Sequence, residues 1–357
     1  MVVFLAGGAL VLSGTSAGAT LRPGTPVPGP GSGADAAEAQ AVGLLTVAAR
    51  AARAGTYRGM QYVSTWRAGS ATEHVFEVRH DPRSGLLVSD PASPAPAFGM
   101  SDPGVSPDLL DDRLLGLLAA HYVLSVGPVQ AFEGRVGSVV EARRAGSGLL
   151  AARFVVDRDS GLVLQRELFD AQGTLLRSSG FVSLTVTPAG GARPGPLAVP
   201  APVFVLAAAA GERVGQPGLA ALRSEGWLVP PSLPHDLDLF EARLRTAAGA
   251  PVLHLAYSDG LTTVSLFVQP GHLGHPVMPG FRQQRWGGRP VLVATGGPNR
   301  VVWAGGGRVW TLVSDAPVET LTAVVTSLPQ ERAAGTGLLT RLRAGIGRVL
   351  TWLNPFG

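Results

Sequence analysis

The chain has 357 residues, 46% of them hydrophobic, so it is long enough to form two domains with ordinary apolar cores. All 29 basic residues are arginine, but the formal net charge is only +4, and no basic patch interleaved with aromatic residues suggests nucleic-acid binding. The absence of cysteine excludes disulfide bonds and a lipidated N-terminal cysteine, while 48 glycines and 29 prolines favour short strands and many turns.

Residues 1–33 predict a signal or short anchor followed by a flexible lead-in. Residues 2–12 form an apolar run that is short for a bilayer span, and Ala17-Gly18-Ala19 then supplies the small residues of a cleavage site. Proline and glycine dominate residues 20–33. We therefore expect an exported protein, whether this segment is cleaved or kept as an anchor.

A first domain is predicted over residues 34–187, beginning with an amphipathic helix. Asp35 and Glu38 form a capping box, apolar residues follow at helical spacing, and Gly55 ends the helix. Strand-like segments come next at residues 57–66 and 73–80, where apolar side chains alternate with polar ones.

The rest of this domain predicts a short helix and further strands. Ser106-Pro107 starts a helix that runs to Ala120, after a Pro/Ser/Gly loop at residues 90–104. Strands at residues 122–126 and 135–143 precede three β-rich segments within residues 150–186. Tight Asp- and Gly-containing breaks separate those three segments, which is typical of an antiparallel meander.

A Pro/Gly linker at residues 188–202 separates this domain from a second one, predicted over residues 203–330. There Ser258-Asp259-Gly260 lies between two strand-like segments, as in a β-hairpin. Three more strands follow, and Ser314-Asp315-Ala316-Pro317 caps a helix that runs to Leu328. The pattern predicts a small α+β domain with a mainly antiparallel sheet.

The tail at residues 331–357 predicts a basic amphipathic helix. Leu338, Leu342 and Ile346 fall on one helical stripe. The tail could lie on an anionic membrane or dock on the second domain, and the sequence leaves both open. For the membrane alternative the contacting residues are Arg341, Arg343, Arg348 and Trp352.

The sequence offers no convincing catalytic, metal or cofactor site. The G-x-S-x-G match at Ser16 lies in the predicted signal, without the strand and helix that a nucleophile elbow needs. Asp157 and Asp159 lack the glutamate that would complete a calcium loop, and Leu168 takes its position. His272 and His275 have no nearby acidic residue to complete a metal shell. We expect a binding protein, not an enzyme, without cofactor or metal.

Several short segments together resemble the RseB/MucB family of sigma-factor regulators. They occur in both domains and in the family's order, at residues 122–127, 157–161, 170–173, 227–234 and 257–260. His235-Asp236 departs from the family pattern, which usually has Gly-Phe after the Leu-Pro pair.

The resemblance implies an α+β fold: an unclosed antiparallel β half-barrel with helices on its concave side, similar to lipoprotein carriers, plus a smaller C-terminal α+β domain with an antiparallel sheet. It also implies an extracytoplasmic protein, in the periplasm or at the outer face of the cytoplasmic membrane. Such a protein binds a membrane-bound anti-sigma factor, modulates its proteolysis in an envelope stress response, and senses a lipid-like ligand through the first domain. A lipid or lipoprotein carrier is the alternative function.

Two sets of residues are predicted to carry these contacts. The apolar side chains of the first sheet are expected to line a concave surface for the lipid or lipoprotein ligand, and the hairpin turn of the second domain is expected to contact the protein partner. The expected ligand-binding residues are Met60, Tyr62, Trp66, Phe76, Val78 and Phe154, and the expected partner-binding residues are Tyr257, Ser258, Asp259 and Gly260.

Overall fold

The structure is a computed structural model that describes residues 32–67, 70–83, 85–89, 112–187, 204–205, 211–247, 249–273, 280–294, 299–314 and 316–330. The predicted signal, the loop at residues 90–104, the linker at residues 188–202 and the basic tail lie outside the described residues.

Ten antiparallel strands form the first sheet of the described chain. Their order is β10-β3-β2-β1-β9-β8-β7-β6-β4, and β5 pairs with β6 beside this path, so the sheet is open between its two edges. The strands are β1 (Thr56–Arg67), β2 (Ser70–Asp81), β3 (Gly85–Ser89), β4 (Tyr122–Val126), β5 (Gln130–Phe132), β6 (Arg135–Arg144), β7 (Leu150–Asp157), β8 (Val163–Phe169), β9 (Leu175–Thr187) and β10 (Phe204–Val205).

The predicted elements of this domain are confirmed at most positions. Strand β4 occupies its predicted segment, and β7, β8 and β9 form the predicted meander. Helix α1 (Ser32–Ala54) is confirmed as a helix that ends before Gly55, but it begins at Ser32, ahead of the predicted start at Asp35. Strand β10 was not predicted. It lies beyond the predicted linker and yet pairs with β3, so residues 204–205 extend the edge of the first sheet.

Helix α1 covers one face of the first sheet, which we call the α1 face. Its buried side is built from small and medium residues, among them Ala41, Leu45 and Ala48, which are fully buried. Small side chains let a helix approach a sheet closely, and here α1 packs against β4, β6 and β7. Helix α2 (Asp112–His121) completes the same core through Leu115 and Leu118.

The second domain is a smaller α+β unit. Its strand order is β11-β13-β14-β15-β19-β18-β17-β16, with β12 paired to β13. The strands are β11 (Glu212–Arg213), β12 (Ser232–Leu233), β13 (Leu237–Ala247), β14 (Ala250–Ser258), β15 (Thr263–Pro270), β16 (Phe281–Trp286), β17 (Arg289–Ala294), β18 (Asn299–Gly305) and β19 (Arg308–Ser314).

Helices α3 (Gln216–Ser224) and α4 (Val318–Ser327) pack on one face of this second sheet. The core between them is apolar and includes Trp303 and Trp310, whose rings stack 6.0 Å apart. Trp303 Nε1 donates a hydrogen bond of 3.0 Å to the carbonyl of Pro329, which fixes the chain just after α4.

The predicted fold class is confirmed: two open antiparallel sheets, each covered on one face by helices, with the larger sheet first. His235 and Asp236, which replace the usual Gly-Phe, have φ angles of 67° and 56°, in the left-handed region that favours glycine. None of the helices in the described ranges combines the length and the apolar character needed to cross a bilayer.

Candidate functional site at the contact between the two domains

The register of the first sheet separates the six predicted ligand-binding residues onto two faces. Gln61 pairs with Phe76 and Gly59 with Val78, so Phe76 and Val78 share a face with the odd-numbered residues of β1. Met60, Tyr62 and Trp66 are even-numbered and lie on the opposite face. The expectation that all six line one concave surface is therefore corrected.

Phe76, Val78 and Phe154 belong to the α1 face and are buried. Phe76 and Val78 pack with Tyr57 and Phe181 beneath the end of α1. Phe154 packs in the cluster formed by α1, α2 and strands β4, β6 and β7. These three side chains are part of the buried apolar surface on the α1 face of the first sheet.

Met60, Tyr62 and Trp66 lie on the outer face. Tyr62 Oη lies 3.0 Å from Ser178 Oγ and accepts a hydrogen bond of 3.3 Å from Gln165 Nε2. Trp66 is 37% exposed. The α1 face carries the two larger apolar clusters of the first domain, so it is the better candidate for an apolar ligand.

A charged network that the sequence analysis missed crosses the same outer face. Arg153 contacts both Glu141 and Glu167 at 3.3 Å, and Arg143 contacts Glu141 at 2.6 Å. Burial raises the pKa of Glu141, but the hydrogen bonds and charges of Arg143 and Arg153 outweigh it, and the pKa is lowered overall. Arg143 and Glu141 both lie on β6, whereas Arg153 is the cross-strand neighbour of Glu141 on β6 and of Glu167 on β8, a relationship visible only once the register is known.

The predicted hairpin turn between β14 and β15 is confirmed, and its own hydrogen bonds fix its shape. Asp259 Oδ1 accepts hydrogen bonds from the backbone N–H groups of Leu261 (2.8 Å) and Thr262 (2.6 Å). Ser258 Oγ accepts one from Gly260 N at 2.9 Å and donates one to the Thr262 carbonyl at 2.7 Å. Gly260 has φ +94°, which only glycine adopts without strain. We call residues 258–262 the docking turn.

The docking turn inserts into the first domain of the same chain. Gly260 lies so close to α2 that a Cβ atom would overlap the backbone of Leu118. Leu261 is 4% exposed and belongs to the apolar cluster of the first domain, together with Leu118 and Phe154. One residue of the second domain therefore completes the core of the first.

Hydrogen bonds between described residues link the docking turn to the first domain. Tyr122 Oη donates to Asp259 Oδ2 at 2.7 Å, and Arg166 NH2 donates to the carbonyl of Leu261 at 2.6 Å. Burial, followed by the charge of Asp259, raises the pKa of Tyr122 far above its ordinary value, so Tyr122 stays protonated and acts as a donor.

Two further polar contacts join α2 to β13. His121 Nε2 lies 3.1 Å from Asp238 Oδ2, and Arg113 NH1 donates to the carbonyl of Phe240 at 3.0 Å. Both pairs are partly exposed, so each contributes modestly. Together with the docking turn they orient the second domain against α2.

The predicted partner-binding residues are all buried. Tyr257 and Ser258 are 0% exposed, and Asp259 is 9% exposed. Tyr257 packs in the core of the second domain, and its Oη donates to the carbonyl of Pro230 at 3.0 Å, which joins the hairpin to the segment at residues 227–234. Their contact with a protein partner stays a prediction; in this structure the neighbour of Asp259 and Gly260 is the first domain of the same chain.

Arg166 is the central site residue that the sequence analysis did not select. It is 4% exposed, on β8, with its guanidinium carbon 5.8 Å from the centre of the Phe154 ring. In the sequence it is one of two charged residues in a predicted strand that also contains Gln165, and nothing there marks it as buried. Buried arginine is uncommon and needs partners, so its position next to the docking turn marks this contact as the candidate site.

A half-buried histidine, whose ring nitrogens are buried, lies on the sheet of the second domain. The His254 ring stacks on Phe267 with ring centres 4.5 Å apart, and neither ring nitrogen has a hydrogen-bond partner among the residues that the structure describes. Burial lowers the pKa of His254 to about 4, although the charge of Glu241 opposes this. His254 is therefore neutral at pH 7.

No cluster of three or more His, Asp or Glu residues is placed to hold a metal ion within the described ranges. The docking turn offers hydrogen bonds and apolar contacts.

Comparison with known proteins supports one family. The chain is 29% identical over 217 residues to the sigma factor AlgU regulatory protein MucB of Pseudomonas aeruginosa, which corresponds to 61% of this chain and 63% of that protein. The resemblance to the RseB/MucB family is thus confirmed. The match spans slightly less than two thirds of the relative's length, and no family model matches the chain.

Solved structures of MucB are also similar to this chain. A crystal structure of MucB in complex with MucA(peri) covers 82% of this chain and 99% of its own, with 23% identity and a TM-score of 0.43. The complex structure of Pseudomonas aeruginosa MucA/MucB covers 83% and 100%, with 22% identity and a TM-score of 0.43.

Proposed function

We propose that this protein is an extracytoplasmic regulator that binds a membrane-bound anti-sigma factor and modulates its proteolysis in an envelope stress response. The observation that carries the proposal is the 29% identity to MucB, a sigma-factor regulatory protein, over 217 residues. The order of family-like segments across both domains supports it.

The first domain is the proposed sensor of a lipid-like ligand. The ligand would contact the apolar surface of the α1 face, to which Phe76, Val78 and Phe154 contribute. An acyl chain gains about 0.8 kcal/mol for each methylene that it buries there. Met60, Tyr62 and Trp66 lie on the outer face and are not part of this proposal.

Capture from membranes tests the regulatory function. The purified protein, immobilised through an added C-terminal tag, is incubated with detergent-solubilised inner membranes of its source organism. We expect it to retain a single-span protein that itself binds a sigma factor, and the purified extracytoplasmic segment of that protein to bind with a Kd in the micromolar range or below. Addition of this regulator should slow cleavage of the segment by the membrane-anchored protease that initiates its degradation.

The alternative, a lipid or lipoprotein carrier, predicts a different result. A carrier needs only the first sheet, whereas here the second domain contributes Leu261 to the core of the first. Recovery of lipid or lipoprotein, with no anti-sigma protein and no protection from proteolysis, would contradict the regulatory proposal and support the carrier.

Membrane contact through the tail is a separate part of the proposal. Arg341, Arg343, Arg348 and Trp352 would face an anionic surface. Full-length protein and a variant truncated after Ala333 are sedimented with liposomes that contain phosphatidylglycerol. We expect the full-length protein to sediment more, and equal sedimentation would exclude a role for the tail.

A further inference from the structure

We propose that the docking turn is a releasable contact between the two domains. While it is inserted, the domains hold one arrangement. An anionic single-chain amphiphile that enters the α1 face competes with Leu261 for the same core and expels the turn, which leaves the domains joined by the weaker, partly exposed contacts between α2 and β13. The competition step rests on the lipid sensing proposed above; the role of the turn itself does not.

The shared core is the first step of the argument. Leu261 packs in the same cluster as Phe154 and the buried side of α1, and it is 4% exposed. Protein cores are close-packed, so an acyl chain could reach Phe154 only where another side chain withdraws. Leu261 is the side chain best placed to withdraw, because it belongs to a different domain and leaves with its turn.

The second step is the way the turn is held. Within residues 258–262, the contacts with the first domain include Gly260 against Leu118, Leu261 in the core, and the hydrogen bonds from Tyr122 and Arg166. The turn keeps its shape by its own hydrogen bonds, which do not involve the first domain. It can therefore leave as a preformed unit, without unfolding β14 and β15.

The third step is the charge of Arg166. Its NH2 group donates to the carbonyl of Leu261, so withdrawal of the turn removes that acceptor from a buried guanidinium. A carboxylate or phosphate on the incoming ligand would replace the acceptor with a stronger one. The geometry thus selects an amphiphile that combines an acyl chain with an anionic head group.

Pulsed electron spin resonance tests the role of the turn. The chain has no cysteine, so Val136→Cys in the first domain and Val318→Cys in the second, 49% and 47% exposed, accept spin labels without background. Gly260→Ala places a Cβ against the Leu118 backbone. Gly249→Ala is the matched control, because Gly249 also has positive φ (77°) but has no atom within 4 Å of such a Cβ.

We expect one narrow distance distribution for the doubly labelled protein and for Gly249→Ala, and a broad or second population for Gly260→Ala. Equal distributions in the two glycine variants would overturn the proposal. Leu261→Ala provides a second test should Gly260→Ala fail to fold, and it should also broaden the distribution; an unchanged narrow distribution would likewise overturn the proposal.

Three submicellar probes test the competition. We expect laurate and lauroyl lysophosphatidylglycerol to broaden the distance distribution, and dodecyl maltoside, which has no charge, to leave it narrow. A response to only one of the two anionic probes would identify the head group, carboxylate or phosphate. We also expect Leu261→Ala to bind the effective probe about tenfold more tightly.

Two results would overturn the competition step. If a radiolabelled probe binds but the distance distribution stays narrow, the ligand and the turn do not compete for the core. The proposed lipid sensing is then unaffected. If neither anionic probe binds, the lipid sensing falls with the competition, while the glycine variants still decide the role of the turn.

Discussion

Tyr122 of the first domain donates a 2.7 Å hydrogen bond to the carboxylate of Asp259 in the second. Because Asp259 is largely buried, Tyr122→Phe leaves a carboxylate oxygen without this donor. We expect the free energy of unfolding to fall by about 1–2 kcal/mol, measured by urea unfolding followed by circular dichroism. Tyr62→Phe is the control: its partners, Ser178 and Gln165, lie in the same domain and are neutral, so a smaller loss is expected. A loss at Tyr122 no larger than at Tyr62 would count against this account.

Leu261 belongs to the second domain in sequence, but it should behave as a core residue of the first domain. Leu261→Ala removes a buried side chain from the first domain's cluster, and we expect a loss of about 2–4 kcal/mol in the free energy of unfolding. Leu228→Ala, at a position 41% exposed, should cost less than about 0.5 kcal/mol. Similar costs at the two positions would show that the turn does not pack in solution as it does here.

The lowered pKa of His254 predicts that the stability of the protein depends on pH. Its pKa in the folded protein is about 4, below the ordinary value of 6.5, so the unfolded chain binds the proton more tightly. The contribution of neutral His254 to the free energy of unfolding is fully present above about pH 6.5. It is lost as the pH falls towards 4, and the loss is up to about 3 kcal/mol.

The matched variant for this test is His254→Phe, which keeps the stacking on Phe267 and removes the titrating group. Urea unfolding at several pH values between 7 and 4 should give a steeper loss of stability for the native sequence than for the variant. Parallel curves would show that His254 is not neutral in the folded protein.

Two glycines should respond to alanine in opposite directions. A Cβ at Gly43 in α1 meets no atom within 4 Å, so Gly43→Ala should stabilise the helix by about 0.5–1 kcal/mol. A Cβ at Gly59 in β1 would overlap the carbonyl of Ser183 on β9, so Gly59→Ala should destabilise the protein by more than about 2 kcal/mol. The melting temperatures of the two variants provide the measurement, and a shift in the same direction for both would contradict the packing around β1.

Most helices and strands could be predicted from the sequence, because the residues that cap a helix or form a turn lie within a few positions of one another. The capping box at Asp35 and Glu38 marked α1, and the Ser258-Asp259-Gly260 turn marked the β14–β15 hairpin. Helix α3 was missed because its nine residues, Gln216–Ser224, include Pro217 and Gly218, which resemble a loop. Strand β16 was missed because Arg282, Gln283, Gln284 and Arg285 show no apolar alternation.

The candidate site could not be predicted in the same way. Alternation shows that Met60 and Tyr62 share a face, and that Phe76 and Val78 share a face, but it does not say whether the two pairs share the same one. That depends on the pairing of Gln61 with Phe76, which is a tertiary fact. Likewise, the turn at Gly260 was recognisable, but its neighbour, Leu118, is 142 positions away in the sequence.

The pairing of β1 with β9 has a consequence for biosynthesis. Tyr57 lies opposite Val186, so the centre of the first sheet cannot form until the chain has been synthesised past β9. Leu261 extends this requirement further, because the core beneath α1 is complete only after the β14–β15 hairpin has followed. An N-terminal half that has left the ribosome would expose an unfilled apolar surface, which makes it a natural client for holding chaperones until the second domain arrives.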